Sequence, residues 1–149
     1  MRLAPDLEKL LNESVSLARE ARHEYVSLEH VTLALTEDDM ALEIIEGCGG
    51  DSRRLRKKLQ KFLKDNATKI DTTVLAEAGK EWKPSLTLAF HRVVQRALIQ
   101  VQGAEREYVT TGNLLISLLR EEESPAVSFL EEEGVTSFAA IRFFSHGLS

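Results

Sequence analysis

Two histidines and two carboxylates fall within eight residues near the start of the chain: His23, Glu24, Glu29 and His30. Imidazole and carboxylate groups are common zinc ligands, and carboxylate pairs perform general acid–base catalysis. The spacing favours neither chemistry, because no His-Glu-x-x-His run places two ligands on one helix face. Neither glutamate has an obvious nucleophile or apolar pocket nearby. A small metal-dependent enzyme that uses all four residues therefore stands as the weaker hypothesis.

A binding edge is the better interpretation of this segment. Glu24 and Glu29 are expected at the tight turn between the first two helices, and loops on a rigid scaffold commonly carry recognition. The plainer alternative is a solvated loop carboxylate at Glu24 and a carboxylate at Glu29 that meets the positive end of its own helix.

A basic run further along the chain invites a nucleic-acid interpretation. Its members flank apolar positions, as on the wet face of an amphipathic helix, and no aromatic residues interleave on the polar side. The net charge of −5 also argues against a nucleic-acid surface. We interpret the run as a solvated helix face. It comprises Arg53, Arg54, Arg56, Lys57, Lys58, Lys61 and Lys64.

The elements that must position the acidic pair are duplicated. A shift of 83 residues superposes two hydrophobic patterns in register, which marks a repeated structural unit. The shift aligns Tyr25 with Tyr108, Val26 with Val109, Ser27 with Thr110, Val31 with Leu114 and Leu35 with Leu118. Copy two carries Glu107 opposite Glu24 but Gly112 opposite Glu29, so the acidic pair belongs to copy one and predicts an asymmetric site.

Helical periodicity and caps predict an all-α fold of eight helices, four per copy. Ser27 and Thr110 are predicted to cap the second helix of each copy, and Pro84-Ser85 is predicted to open the first helix of repeat two. We expect one domain over 1–149, with repeat one at about 5–65, a linker at about 66–84 and repeat two at about 85–147. The linker is predicted to hold a short helix at Val74–Ala78.

Composition places the chain among globular proteins of a reducing compartment. Of its 149 residues, 43% are apolar and 29% charged, which is ordinary for a globular domain. The single Cys48 excludes an internal disulfide. There is no apolar stretch of about 18 residues and no secretion signal. These features predict a cytoplasmic protein without membrane contact, and a monomer in isolation.

Three segments resemble the N-terminal domain of Clp-type AAA+ unfoldases, and the resemblance extends from about Asp6 to Gly147. These are Arg22 to His30, Phe90 to Ala97, and the closing Phe144-Ser145-His146-Gly147. The Gln-Arg-Ala and Ser-His-Gly triplets within them resemble the ClpA branch. The resemblance implies a pseudo-twofold pair of four-helix repeats, in agreement with the repeat count.

The same resemblance implies a docking domain with no catalytic residues and no cofactor of its own. Such domains receive a ClpS-like adaptor that delivers N-degron substrates, and they also contact protein substrates directly. A hexameric ATPase ring, which uses ATP and Mg²⁺, then passes substrates to ClpP. The implied adaptor contacts are Glu24, Glu29 and Ser85, where the family often has Thr in place of this Ser. A stand-alone chaperone-like module that binds unfolded polypeptides directly is the alternative.

Overall fold

The computed structural model describes residues 2–104 and 107–146, and its dominant element is the α-helix. Gly147, which closes the last resembling segment, lies outside these residues. The helices are α1 Pro5–Glu20, α2 Leu28–Leu35, α3 Asp39–Gly47, α4 Ser52–Asn66, α5 Thr72–Ala78, α6 Leu88–Gly103, α7 Thr111–Leu118, α8 Pro125–Glu132 and α9 Ser137–His146. Four belong to each copy, and α5 is a ninth in the predicted linker. Among the described residues, no helix has the length and hydropathy needed to cross a bilayer.

The start of the second helix in each copy is fixed by a capping box. In copy two, Asn113 N–H donates to Thr110 Oγ1 (3.2 Å), and Thr110 N–H donates to Asn113 Oδ1 (2.8 Å). In copy one His30 takes the place of Asn113, and Ser27 N–H donates to His30 Nδ1 at 3.0 Å. Ser27 and Thr110 therefore begin their helices as predicted, by satisfying backbone groups that the first turn leaves free.

Two parallel pairs of short strands join the copies by exchange. Strand β1 (Arg2–Leu3) precedes repeat one but pairs with β4 (Tyr108–Val109) of repeat two. Reciprocally, β3 (Ser85–Leu86) precedes repeat two and pairs with β2 (Tyr25–Val26) of repeat one. Strands of two residues are too short for their alternation to be visible in the sequence.

The prediction that Pro84-Ser85 opens a helix is wrong. Ser85 lies in β3, and its N–H donates to the carbonyl oxygen of Glu24 at 3.0 Å. This cross-copy bond holds the backbone extended. The helix begins at Leu88, where the Thr87 hydroxyl caps it by accepting from Phe90 N–H at 3.1 Å.

One hydrophobic core is assembled from both copies. Helices α2 and α7 are central, since they pack on each other while α2 also contacts α1, α4 and α8. The largest fully buried apolar side chains come from both repeats: Leu7, Leu35, Ile44, Ile45, Leu55, Leu59, Leu114, Leu115, Leu118 and Leu130. Burial of such side chains stabilises the fold by about 1.5–3 kcal/mol each.

Helix α9 packs against the core through two aromatic rings, each of which lies over a glycine. Phe143 covers Gly47 of α3, and Phe144 covers Gly112 of α7. A Cβ atom added to either glycine would overlap the ring above it, and one at Gly112 would also lie 3.0 Å from Met40 Sδ. Glycine at 112 is therefore a packing requirement of repeat two.

An ion pair between an exposed guanidinium and a buried carboxylate connects the basic helix of repeat one to the end of α8. Arg54 donates from Nε to Glu133 Oε2 (2.7 Å) and from Nη2 to Oε1 (2.9 Å), while Asp51 N–H donates to Oε1 (2.9 Å). The Glu133 side chain is 1% exposed. The hydrogen bond from Arg54 is the main cause that lowers the pKa of Glu133 to about 2. Arg54 is 58% exposed, in agreement with the predicted solvated face, and it also has a structural role that the sequence did not indicate.

Glu133→Ala is expected to lower the free energy of unfolding by about 2 kcal/mol. It removes three hydrogen bonds to a buried carboxylate but leaves Arg54 free to be solvated, so the loss is smaller than for a fully buried pair. Urea unfolding near pH 7 measures it. Glu132→Ala is the control, because the Lys58–Glu132 pair is exposed on the carboxylate side and should contribute less than about 1 kcal/mol. Equal losses in the two variants would contradict a structural role for Glu133.

Candidate functional site

The β2–β3 pair brings two of the three predicted contact residues together. Glu24 immediately precedes β2 and Ser85 begins β3, and the hydrogen bond from Ser85 N–H to the Glu24 carbonyl joins them. The linker fixes this position from its other side, because Glu24 N–H donates to the Thr68 carbonyl at 2.8 Å. Glu24 and Ser85, which are 61 positions apart in the sequence, therefore belong to one surface. We call it the strand-pair surface (Glu24, Tyr25, Ser85 and Leu88).

Alternation along β2 decides which side chains face outward. Val26 is fully buried, whereas Tyr25 is 47% exposed, Ser85 is exposed and Glu24 is half-buried. Leu88, at the first turn of α6, is 82% exposed. Sequence reasoning missed Tyr25 and Leu88 as surface residues. A signal was available for Leu88, since it lies before the apolar stripe that begins at Phe90.

Glu29 has a different environment from Glu24. It is 8% exposed, and its Oε2 accepts from Ser124 Oγ (3.1 Å) and from Ala126 N–H (3.2 Å). The carboxylate therefore caps the positive N-terminal end of α8, where a negative charge is stabilised. Glu29 also lies in the first turn of α2, as the plainer sequence interpretation predicted, but its contact with α8 was missed.

Glu29 also lines a groove of about 390 Å³, which we call the α2–α6 groove. Its walls are the start of α2, the start of α6 and the α7–α8 connection. Arg92 Nε and Arg96 Nη2 donate to the Glu121 carboxylate at 3.1 and 2.7 Å, so this carboxylate is neutralised at the groove wall. The hydrogen bond from Arg92 is the main cause that lowers the pKa of Glu121.

The groove that the 83-residue shift relates to this one carries different charges. The 83-residue shift carries Arg92, Arg96 and Glu121 onto Lys9, Glu13 and Asp38, which line a groove of about 250 Å³. Three further carboxylates line it as well: Asp6, Glu37 and Asp39. The two grooves share repeat-related positions but not a charge pattern.

The histidines of the sequence cluster contact each other and not the glutamates. His23 Nδ1 lies 2.9 Å from His30 Nε2. Burial is the main cause that lowers the pKa of both rings. For His30, burial and the neighbouring His23 together lower the pKa to about 4. Within 2–104 and 107–146, no group of three or more His, Cys, Asp or Glu side chains is arranged to hold a metal ion. The metal-dependent hypothesis therefore has no donor set in the described structure.

Comparison with known sequences identifies close relatives of this chain. Residues 2–133 match the family described as the Clp repeat (R) N-terminal domain. The ClpA homolog protein of Fuscovulum blasticum is 38% identical over 143 residues, which are 96% of this chain and 17% of that protein. The chain thus spans about a sixth of the length of this relative.

Solved structures agree in fold. The Hsp104 N-terminal domain from Candida albicans superposes with a TM-score of 0.76 at 14% identity, covering 97% of this chain and 92% of that one. The ClpV N-domain, in a complex with a VipB peptide, superposes with a TM-score of 0.72 at 16% identity, covering 97% and 86%. At these identities the likeness shows the fold alone.

Proposed function

The chain belongs to the Clp repeat N-terminal domain family, and from this premise we propose that it is the adaptor- and substrate-docking domain of a ClpA-like, ATP-dependent unfoldase. The proposed adaptor is a ClpS-like protein that delivers N-degron substrates. The observation that carries the proposal is the strand-pair surface, where Glu24 and Ser85 from different repeats meet beside exposed apolar side chains.

The chemistry of this surface suits a polar rim around an aromatic contact. The Glu24 carboxylate is available for charge-assisted hydrogen bonds from a partner's Lys, His or backbone N–H groups. Tyr25 and Leu88 offer apolar area, and aromatic residues are enriched where interfaces are strongest. Rim charges such as Glu24 act mainly on orientation and association rate.

Glu29 is proposed as a secondary contact through the α2–α6 groove. Its Oε2 is occupied by Ser124 and Ala126, and little of the residue is exposed. We therefore assign Glu24 the larger share of adaptor binding. Replacing Glu29 would have a second effect, because the start of α8 would lose the cap that its carboxylate provides.

Glu24→Lys is expected to weaken adaptor binding at least tenfold. It removes a hydrogen bond to a charged group, which contributes about 1.5–3 kcal/mol, and introduces a repulsive charge in its place. Calorimetric titration of the domain with purified ClpS, at low and moderate salt, measures the affinity. Glu107→Lys is the matched control, because the 83-residue shift makes Glu107 the repeat-two counterpart of Glu24. Equal affinities for the two variants, with both folds intact, would overturn the assignment of Glu24.

The remaining activity of a longer protein is part of the same proposal. The relative at 38% identity is about six times longer than the matched segment. We place ATP, Mg²⁺, hexamer formation and delivery to ClpP in other modules, in the cytoplasm, and assign no cofactor and no catalysis to this domain.

A second candidate is a stand-alone chaperone-like module that binds unfolded polypeptides directly. The exposed large apolar side chains Leu88, Ile99, Phe138 and Ile141 favour it, because exposed apolar surface often marks an interaction site. Binding of an unfolded chain that is insensitive to Glu24→Lys, together with no affinity for ClpS, would select this function.

A further inference from the structure

A separate cavity of about 390 Å³ lies between the end of α1, helix α2, helix α4 and the segment that follows α4. We call it the histidine cavity, because its walls include the buried rings of His23 and His30. Its apolar wall is formed by Leu17, Leu33 and Leu63. None of its lining residues belongs to the strand-pair surface or to the α2–α6 groove.

The hydrogen-bond chain at this cavity fixes which ring nitrogens carry protons. Ser27 N–H donates to His30 Nδ1, so the proton of a neutral His30 is on Nε2. That N–H then donates to His23 Nδ1 at 2.9 Å, which places the proton of His23 on its own Nε2.

The remaining N–H of His23 belongs to a ring that lines the cavity. His23 is 6% exposed, and among the described residues its Nε2 has no protein partner. Every buried side-chain donor in that part of the chain has a hydrogen-bond partner. Because His23 Nε2 has none, it is not fully enclosed, and we take it to be accessible from the cavity that His23 lines. The cavity therefore contains one positioned hydrogen-bond donor in an apolar wall.

The charges around the histidine cavity are all positive. Among the residues that the structure describes, Lys64 and Lys69 line it, and no Asp or Glu does. Lys69 is opposite His23 in an antiparallel bridge, which directs the two side chains to the same face. Asp65, the nearest carboxylate in sequence to Lys64, is bound by Lys61 at 2.8 Å and interacts with the charge of Lys64 less strongly. In a chain of net charge −5, this is a local site for an anion.

We propose that the histidine cavity binds a small carboxylate with an apolar chain. The carboxylate accepts from His23 Nε2–H and pairs with Lys64 and Lys69, and the apolar chain lies against Leu17, Leu33 and Leu63. The cavity volume is within the usual range of small-molecule sites, which are apolar with a few positioned polar groups. This site is independent of the proposed docking function.

Octanoate is the probe, and the histidine ring signals of the domain, followed by NMR near pH 7, are the readout. We expect saturable shifts of the His23 signals. We also expect the pKa of His23 to rise when the site is occupied, because an adjacent anion favours the protonated ring. Lys64→Ala with Lys69→Ala should weaken binding about tenfold, as expected for two partly screened charge pairs. Lys57→Ala, an exposed lysine on the same helix outside the cavity, should leave the affinity unchanged.

Octanol and octylamine separate charge recognition from apolar partition. Weaker binding of both than of octanoate would support the proposal, as would about tenfold weaker octanoate binding in the double lysine variant. The proposal is overturned if octanol binds as well as octanoate, if the double variant binds like Lys57→Ala, or if octanoate leaves the His23 signals unmoved.

Discussion

Acidification from about pH 7 to about pH 4 is expected to remove about 3 kcal/mol of stability through His30 alone. Burial, followed by the nearby His23, lowers the pKa of this ring from 6.5 to about 4. Between these values the unfolded chain binds a proton that the native chain does not, so stability falls as the pH falls. Protonation at Nδ1 would also break the bond from Ser27 N–H that caps α2.

The duplication supplies the control for this prediction. His30→Asn installs the residue that repeat two has at the equivalent position, where Asn113 makes the same cap without titrating. Urea unfolding at several pH values should show wild type losing stability between about pH 6.5 and 4, while His30→Asn loses much less. Parallel pH profiles for the two proteins would contradict the assignment.

Two other groups also contribute to the pH dependence of stability and must be distinguished from His30. The pKa of His23 is also lowered, by burial and by Lys69, so His23 adds a loss of the same sign. Glu133, with its pKa near 2, contributes stability that is lost only below its unfolded value of about 4.5. Changes in stability above about pH 4.5 therefore report mainly on the two histidines. The charged residues that line the cavity beside them are Lys64 and Lys69.

Gly112→Glu, which makes repeat two match repeat one, is expected to lower the free energy of unfolding by about 3 kcal/mol or more. The new Cβ would overlap the Phe144 ring and crowd Met40. The carboxylate would then enter an apolar contact with no partner prepared for it. Thermal unfolding should show a decrease of about 6–12 °C, given about 2–4 °C per kcal/mol for a chain of this size.

Two alanine variants separate the steric effect from the charge. Gly112→Ala should lose about 1–3 kcal/mol through overlap alone. Gly103→Ala, at the end of α6, has no neighbouring atom within 4 Å of the new Cβ and should gain up to about 1 kcal/mol. A Gly112→Ala variant as stable as Gly103→Ala would show that Phe144 moves aside freely.

Local rules predicted most of the helices, because their signals lie within a few residues. Ser27 and Thr110 begin the second helix of each copy, as predicted. The exchanged strands were missed because their partners are 60 or more residues away. The same non-local pairing turned the expected helix start at Ser85 into a strand.

The candidate site was predicted in part, for a related reason. The asymmetry between Glu29 and Gly112 was visible once the copies were aligned, but its causes were not. Glu29 is held by α8 through Ser124 and Ala126, and Gly112 is covered by α9 through Phe144. No pattern within one helix encodes such contacts. Ser85 and Glu24 were assigned to one surface by family resemblance, and the strand pair supplies the physical connection between them.

The reciprocal strand exchange has a consequence for the ancestry of this architecture. A polypeptide of one repeat would find its missing strand partner only in a second copy, and two such chains would form an isologous homodimer with twofold symmetry. In that dimer any residue chosen for one groove would appear in the other. Fusion into one gene product removes this restriction. Position 29 is then free to become a carboxylate while position 112 becomes a glycine, and a single face can specialise for a partner.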